Sequence, residues 1–130
     1  MSIVTFKATK DEKPITIARQ ASALTVLVCL EKDGQKKVSV IEKSGAKHTL
    51  AMTFDDALDL WQKAFKKPSV GTYRFVESND QGWGPIAVAA DHIAGIDDVD
   101  GRVTIKLKNG AEVHLVQSLE EAVARWTDSH

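Results

Sequence analysis

The sequence predicts an α+β fold: a single domain holding an internally duplicated, pseudo-twofold symmetric unit of antiparallel β-meander followed by one α-helix. Three observations lead to it. Residues 37–61 align with residues 102–126 without a gap, at an offset of 65, half of the 130-residue chain. Seven of the 25 aligned positions are identical: Val38/Val103, Lys43/Lys108, Gly45/Gly110, Ala46/Ala111, Leu50/Leu115, Ala57/Ala122 and Trp61/Trp126. Both copies read as strand, turn, strand and helix. The third observation is size, since 130 residues with 43% hydrophobic content suit one domain burying about two-thirds of its unfolded surface. The expected halves are residues 1–66 and 67–130, packed as one compact domain. Two copies are too few for a solenoid and suggest a single-chain version of a dimer.

In the first half, residues 3–8, 15–19 and 23–31 read as strands. The run Leu24 to Leu30 is nearly all apolar and belongs in the centre of a sheet. Lys32-Asp33-Gly34-Gln35 is a turn, and Ser44-Gly45 turns the next strand back. Thr53 starts a helix over 54–66, with Phe54, Ala57, Leu58, Trp61 and Phe65 on one face. Residues 66–71, which include Pro68, break that helix and join the halves. In the second half, residues 72–77, 86–90 and 93–97 read as strands, and 97–101 as a turn. Val103, Ile105 and Leu107 alternate with Thr104, Lys106 and Lys108, the period of a half-buried strand. Asn109-Gly110 is a hairpin signal of type I′. Ser118 with Glu121 forms a capping box ahead of a helix over 119–128, with Leu119, Ala122, Val123 and Trp126 on one face. The expected core includes Leu27, Val38, Val40, Leu50, Trp61, Val103, Ile105, Leu115 and Trp126.

Charge excludes little. Lys plus Arg is 17 and Asp plus Glu is 18, so no whole-chain field steers the protein to nucleic acid or to an anionic membrane. A nucleic-acid partner needs a local basic face. No apolar run approaches the length of a transmembrane helix, and Met1 to Lys7 lacks the pattern of a signal peptide. The one cysteine, Cys29, suits a reducing cytosol and an inert place in an apolar strand. The expected location is cytoplasmic.

The chemistry expected is binding, not catalysis. His48, His92, His114 and His130 fall at no metal spacing, and the two copies do not preserve a histidine. Asp97-Asp98-Val99-Asp100 lacks the calcium-loop spacing and reads as a solvated turn. No nucleophile elbow, P-loop or dinucleotide fingerprint occurs. No catalytic residue, metal or cofactor is expected. Gly82-Trp83-Gly84-Pro85 has two readings, an exposed loop with an aromatic tip or a Trp folded back over the sheet.

On these residues the chain resembles two families. The strand, Gly-containing turn, strand and amphipathic helix of 37–61 follow the order of a repeat in the Pur-alpha, Whirly and positive-cofactor-four group. The run from Asp91-His92-Ile93 through Ser118 to Glu121 resembles the first half of a LytTR-type DNA-binding domain, and the basic segment that follows in that family has no counterpart before His130. The first resemblance implies single-stranded DNA or RNA bound on a sheet face, which needs backbone-tracking cations and stacking aromatics. The candidates are Lys36, Lys37, Tyr73, Arg74, Trp83, Arg102, Lys106 and Lys108. The alternative for such lysines is a solvated strand face that guards an edge.

The expected function is thus a non-enzymatic binding or regulatory module for single-stranded nucleic acid. The alternative is a protein-interaction or inhibitory module with no nucleic acid, acting through Gly82–Pro85 or a sheet edge. Residues 3–8 and 72–77 are expected at sheet edges, where few charges guard them, so a homo-oligomer is expected.

Overall fold

The computed structural model describes residues 2–76 and 83–129. These form strands β1 (Ile3–Lys10), β2 (Lys13–Gln20), β3 (Leu24–Lys32), β4 (Gln35–Glu42), β5 (Lys47–Leu50), β6 (Val70–Val76), β7 (Trp83–Ala89), β8 (Ile93–Val99), β9 (Arg102–Leu107) and β10 (Glu112–Leu115). Helix α1 (Phe54–Lys63) follows β5, and helix α2 (Leu119–Asp128) follows β10. Glu77, Gly82 and His130 of the sequence reading lie outside the described residues.

All ten strands hydrogen-bond into one antiparallel sheet, in the order β2-β1-β5-β4-β3-β7-β6-β10-β9-β8. This corrects the expected fold class. The architecture is a single sheet carrying two helices, not a repeated meander-plus-helix unit. A meander keeps chain order across the sheet, whereas here β1 lies between β2 and β5, and β3 lies between β4 and β7. The reason is that hairpin and cap signals are local. They fix which neighbours pair across a tight turn and say nothing of the pairings that close a core. β1 reaches β5 because Val4, Phe6 and Ala8 must join the apolar cluster that holds Leu50 and Trp61.

The central strands explain their own composition. Along β3, Leu27 and Cys29 belong to one core cluster, while Val26 belongs to a second with Val28 and Leu30 packed against it. Along β7, Ala87 and Ala89 belong to the first cluster, Ile86 and Val88 to the second. Strands covered on both faces read as continuous apolar runs rather than alternating ones. Helix α1 contributes Phe54, Ala57 and Trp61 to the first cluster, and α2 contributes Ala122 to the second. Each tryptophan of the helices is tied down by its indole. Trp61 Nε1 donates to the Ala21 carbonyl at 3.1 Å, and Trp126 Nε1 to the Ala90 carbonyl at 3.2 Å. Of the expected core, Trp126 is only half-buried; the other residues named are buried.

The sheet rolls at its first end. Arg19 on β2 lies 3.2 Å from the Glu42 carboxylate on β4, with β1 and β5 between those strands in sheet order. Three strand spacings in a flat sheet span about 14 Å. The narrow β1–β5 junction, Ala8↔Leu50 and Thr9↔Thr49, lets the roll happen.

Local expectations are corrected at four places. Helix α1 stops at Lys63, with Ala64 and Phe65 donating to Trp61 and Gln62 carbonyls in a tightened last turn. At Asn109-Gly110 only Gly110 has positive φ, so the turn is not type I′; Asn109 Oδ1 instead accepts from the Ala111 amide at 3.0 Å. Trp83, Gly84 and Pro85 are part of β7 rather than a loop. Gly84 is required there, because a Cβ at that position would lie 1.9 Å from the Cys29 carbonyl oxygen. Finally, β1 and β6 are interior strands, each paired on both sides. The edges are β2 and β8. Pro14, Lys13 and Arg19 guard the first, and Asp97, Asp98 and a bulge between Ile93 and Gly95 guard the second.

Candidate nucleic-acid interface

The two-residue turn Asp33-Gly34 sets the register of β3 against β4, with Lys32 opposite Gln35 and Glu31 opposite Lys36. On its other side Glu31 is opposite Trp83 of β7. Directly opposed residues in an antiparallel pair project to the same face. Lys36, Glu31 and Trp83 therefore form a row across three strands. Arg74 on β6 pairs with Pro85, two positions along β7 from Trp83, and shares that face. Its guanidinium carbon sits 4.6 Å from the centre of the Trp83 ring. Trp83 stays 45% exposed. An Arg plane over a half-exposed indole is a cation–π pair, and it leaves aromatic surface open for stacking.

Behind the row is an open cleft of about 560 Å³. Its floor is Cys29, Val38 and Pro85, its wall is Met52 to Asp55 at the start of α1, and Glu31 and Lys36 stand at its rim. Thr53 caps that helix, its side chain accepting from the Asp56 amide. Burial pushes the Cys29 thiol above its ordinary value, with nearby Lys36 pulling the other way. A raised pKa leaves less of the reactive thiolate at neutral pH.

The candidates from the sequence divide into separate places. Lys36, Arg74 and Trp83 come together. Lys37 is opposite Leu30 and projects to the other face of the sheet. Arg102, Lys106 and Lys108 lie on β9 and its turn, away from the row. Lys106 is 3.2 Å from Asp97, both half-exposed. Tyr73 is turned into the second core cluster at 3% exposure, so its ring offers no stacking surface. Burial holds its phenol proton, with the pKa pushed up to about 12.

The sequence reading missed Glu31 and the cleft wall. Glu31 was within reach of it, since counting back two residues from the Asp33-Gly34 turn places Glu31 against Lys36. Nothing local places either beside Trp83.

The three described histidines each have a polar partner. His48 Nε2 is 2.6 Å from Glu42, His92 Nε2 is 2.7 Å from the Ser22 carbonyl, and His114 Nδ1 is 3.1 Å from the Thr104 hydroxyl. Asp98 accepts from the Gly101 amide and closes the β8–β9 turn. Among the described residues no group of three or more His, Cys, Asp or Glu side chains could hold a metal ion. No described helix is long and apolar enough to cross a membrane.

Neither a family model nor a curated protein matches the chain. Among solved structures it is similar to one described as the LytTr DNA-binding domain of a methyl-accepting/DNA response regulator from Bacillus cereus. The TM-score is 0.55 and the identity 19%, over 98% of this chain and 97% of the other. At that identity the likeness is one of fold. It falls on the LytTR side of the two resemblances and lends nothing to Pur-alpha.

Proposed function

We propose that this chain is a non-enzymatic regulatory module that binds nucleic acid, with unpaired bases of DNA or RNA stacking beside Trp83. The observation that carries the reading is the Arg74–Trp83 pair, half-exposed and in line with Lys36. Stacking on an aromatic is worth about 1–3 kcal/mol per base and needs bases that are not paired. Arg74 and Lys36 supply charge for the two adjacent phosphates. The fold shared with a protein described as a DNA-binding domain supports the class.

The test is fluorescence anisotropy with labelled single strands and duplexes of one sequence. Two phosphate contacts on a single strand predict affinity falling about sevenfold between 50 and 200 mM salt, from a slope of roughly −0.7 per contact. Trp83→Ala should weaken single-strand binding about tenfold, within the range for one stacked base. Duplex binding as tight as single-strand binding refutes the single-strand part. No binding of either at 50 mM salt removes the reading and leaves the protein-interaction or inhibitory module.

A further inference from the structure

The row contains a residue that phosphate binding does not explain. Glu31 lies between Lys36 and Trp83, half-buried, at the rim of the cleft. A carboxylate in that position repels a phosphate backbone. The simple account is that it neutralises Lys36, yet no ion pair within 4.0 Å joins these described side chains although their strands place them opposite one another. The carboxylate is therefore available to a ligand.

Resting on the nucleic-acid reading, we infer that Glu31 reads the Watson–Crick edge of an unpaired base held against Trp83 at the mouth of the cleft, and that this base is guanine. A carboxylate is an acceptor with two oxygens and no donor. Guanine offers two adjacent donors on that edge, the ring N1–H and the exocyclic amine, which match the two oxygens. Cytosine and adenine each offer one amine beside a ring acceptor. Thymine flanks its single N–H with two carbonyls, which a carboxylate repels. The geometry supports the division of labour. Arg74 covers one side of the indole, a base takes the other, and directly opposed strand residues stand about 5 Å apart, so the edge of that base reaches Glu31. The cleft of about 560 Å³ leaves room for the purine and its sugar. Phosphates stay outside, on Lys36 and Arg74.

The experiment uses the full chain and four labelled eleven-residue oligothymidylates, alike except for a central G, A, C or T. The wild type should bind the G oligonucleotide about tenfold more tightly than the all-T one, with A and C between. Two charge-assisted hydrogen bonds are sufficient for that ratio. Glu31→Gln, which keeps the shape and loses the charge, should bring the four affinities within about twofold of one another and tighten the all-T oligonucleotide. Glu31→Ala should do the same without the amide as a substitute donor. Thermal melts of both variants must coincide with the wild type. A wild type with no preference for G, or a preference that survives both variants, overturns the inference and leaves the nucleic-acid reading standing. Failure of all four to bind overturns both.

Discussion

The two helix tryptophans make the same hydrogen bond in different surroundings, and that difference can be measured. Trp61 is fully buried and donates to the Ala21 carbonyl at 3.1 Å. Replacing it by Phe removes the donor and leaves a buried carbonyl without a partner, at a cost of about 1–3 kcal/mol. The smaller ring leaves a void of a few tens of Å³, which adds about 1 kcal/mol at roughly 24 cal/mol per Å³. Trp61→Phe should therefore cost about 2–4 kcal/mol, a large share of the roughly 5–15 kcal/mol that holds a domain together. Its Tm should drop by about 6–20 °C. Trp126 donates to Ala90 at 3.2 Å through a part-buried bond. Water can replace that donor, so Trp126→Phe should cost only about 1 kcal/mol. Urea unfolding followed by circular dichroism, with unchanged m-values, gives both numbers. If Trp61→Phe costs no more than Trp126→Phe, burial is not what distinguishes the two sites and the reasoning fails.

Gly84→Ala should abolish folding or unfold the protein by ambient temperature, because its Cβ would meet the Cys29 carbonyl at 1.9 Å, backbone against backbone; a well-folded variant with the wild-type Tm refutes the close approach. Glu12 sits at φ 63 in the Asp11-Glu12 turn, so Glu12→Gly should stabilise by about 1 kcal/mol in the same urea assay, and destabilisation would be the contrary result. His48, and then Arg19, hold the Glu42 carboxyl below its ordinary 4.5 against the opposing effect of burial. That stabilisation is present above pH 4.5 and is lost as pH falls through the lower folded value, so Glu42→Gln should flatten the acid limb of stability against pH; an unchanged limb places the acid sensitivity elsewhere. Cys29, on the floor of the cleft with a raised pKa, should react with a thiol reagent at pH 8 more slowly than a free thiol, and labelling at the free-thiol rate would contradict its placement.

Local structure was legible at the helix starts and less so at the turns. Ser118 accepts from the Glu121 amide and Thr53 from the Asp56 amide, as their positions ahead of acidic first turns require. The apolar run of β3 announced a strand covered on both faces. What the sequence did not carry is the order of strands. Residues 3–8 and 72–77 look like unguarded edges because they are apolar and poorly charged. Residues 3–8 and 72–76 are apolar because they are interior, with β2 and β8 taking the charge, the proline and the bulge that an edge needs. The oligomer expected from those edges loses its physical basis with them. Tyr73 is placed by a different rule: alternation along β6 sends it inward with Phe75 and leaves Arg74 outside.

The candidate site shows why a pattern search over this sequence finds its parts and not the whole. Lys36, Arg74 and Trp83 each carry a plausible chemistry alone, and so do Lys37, Lys106 and Lys108, which lie elsewhere. The sorting is done by one pairing, β3 against β7, that brings Glu31 and Trp83 level. That pairing exists because both strands are apolar on both faces and neither can be an edge. The cleft exists because α1 begins beside the same seam, with Met52 to Asp55 standing over Cys29 and Val38. The packing that joins these two mid-chain strands thus also gathers a cation, a carboxylate and a half-exposed indole. A near-neutral protein needs that concentration if it is to bind nucleic acid, since its whole-chain charge of −1 gives no attraction at distance. On the proposed reading affinity comes from contact, so it should vary only about sevenfold between 50 and 200 mM salt and fall about tenfold in Trp83→Ala.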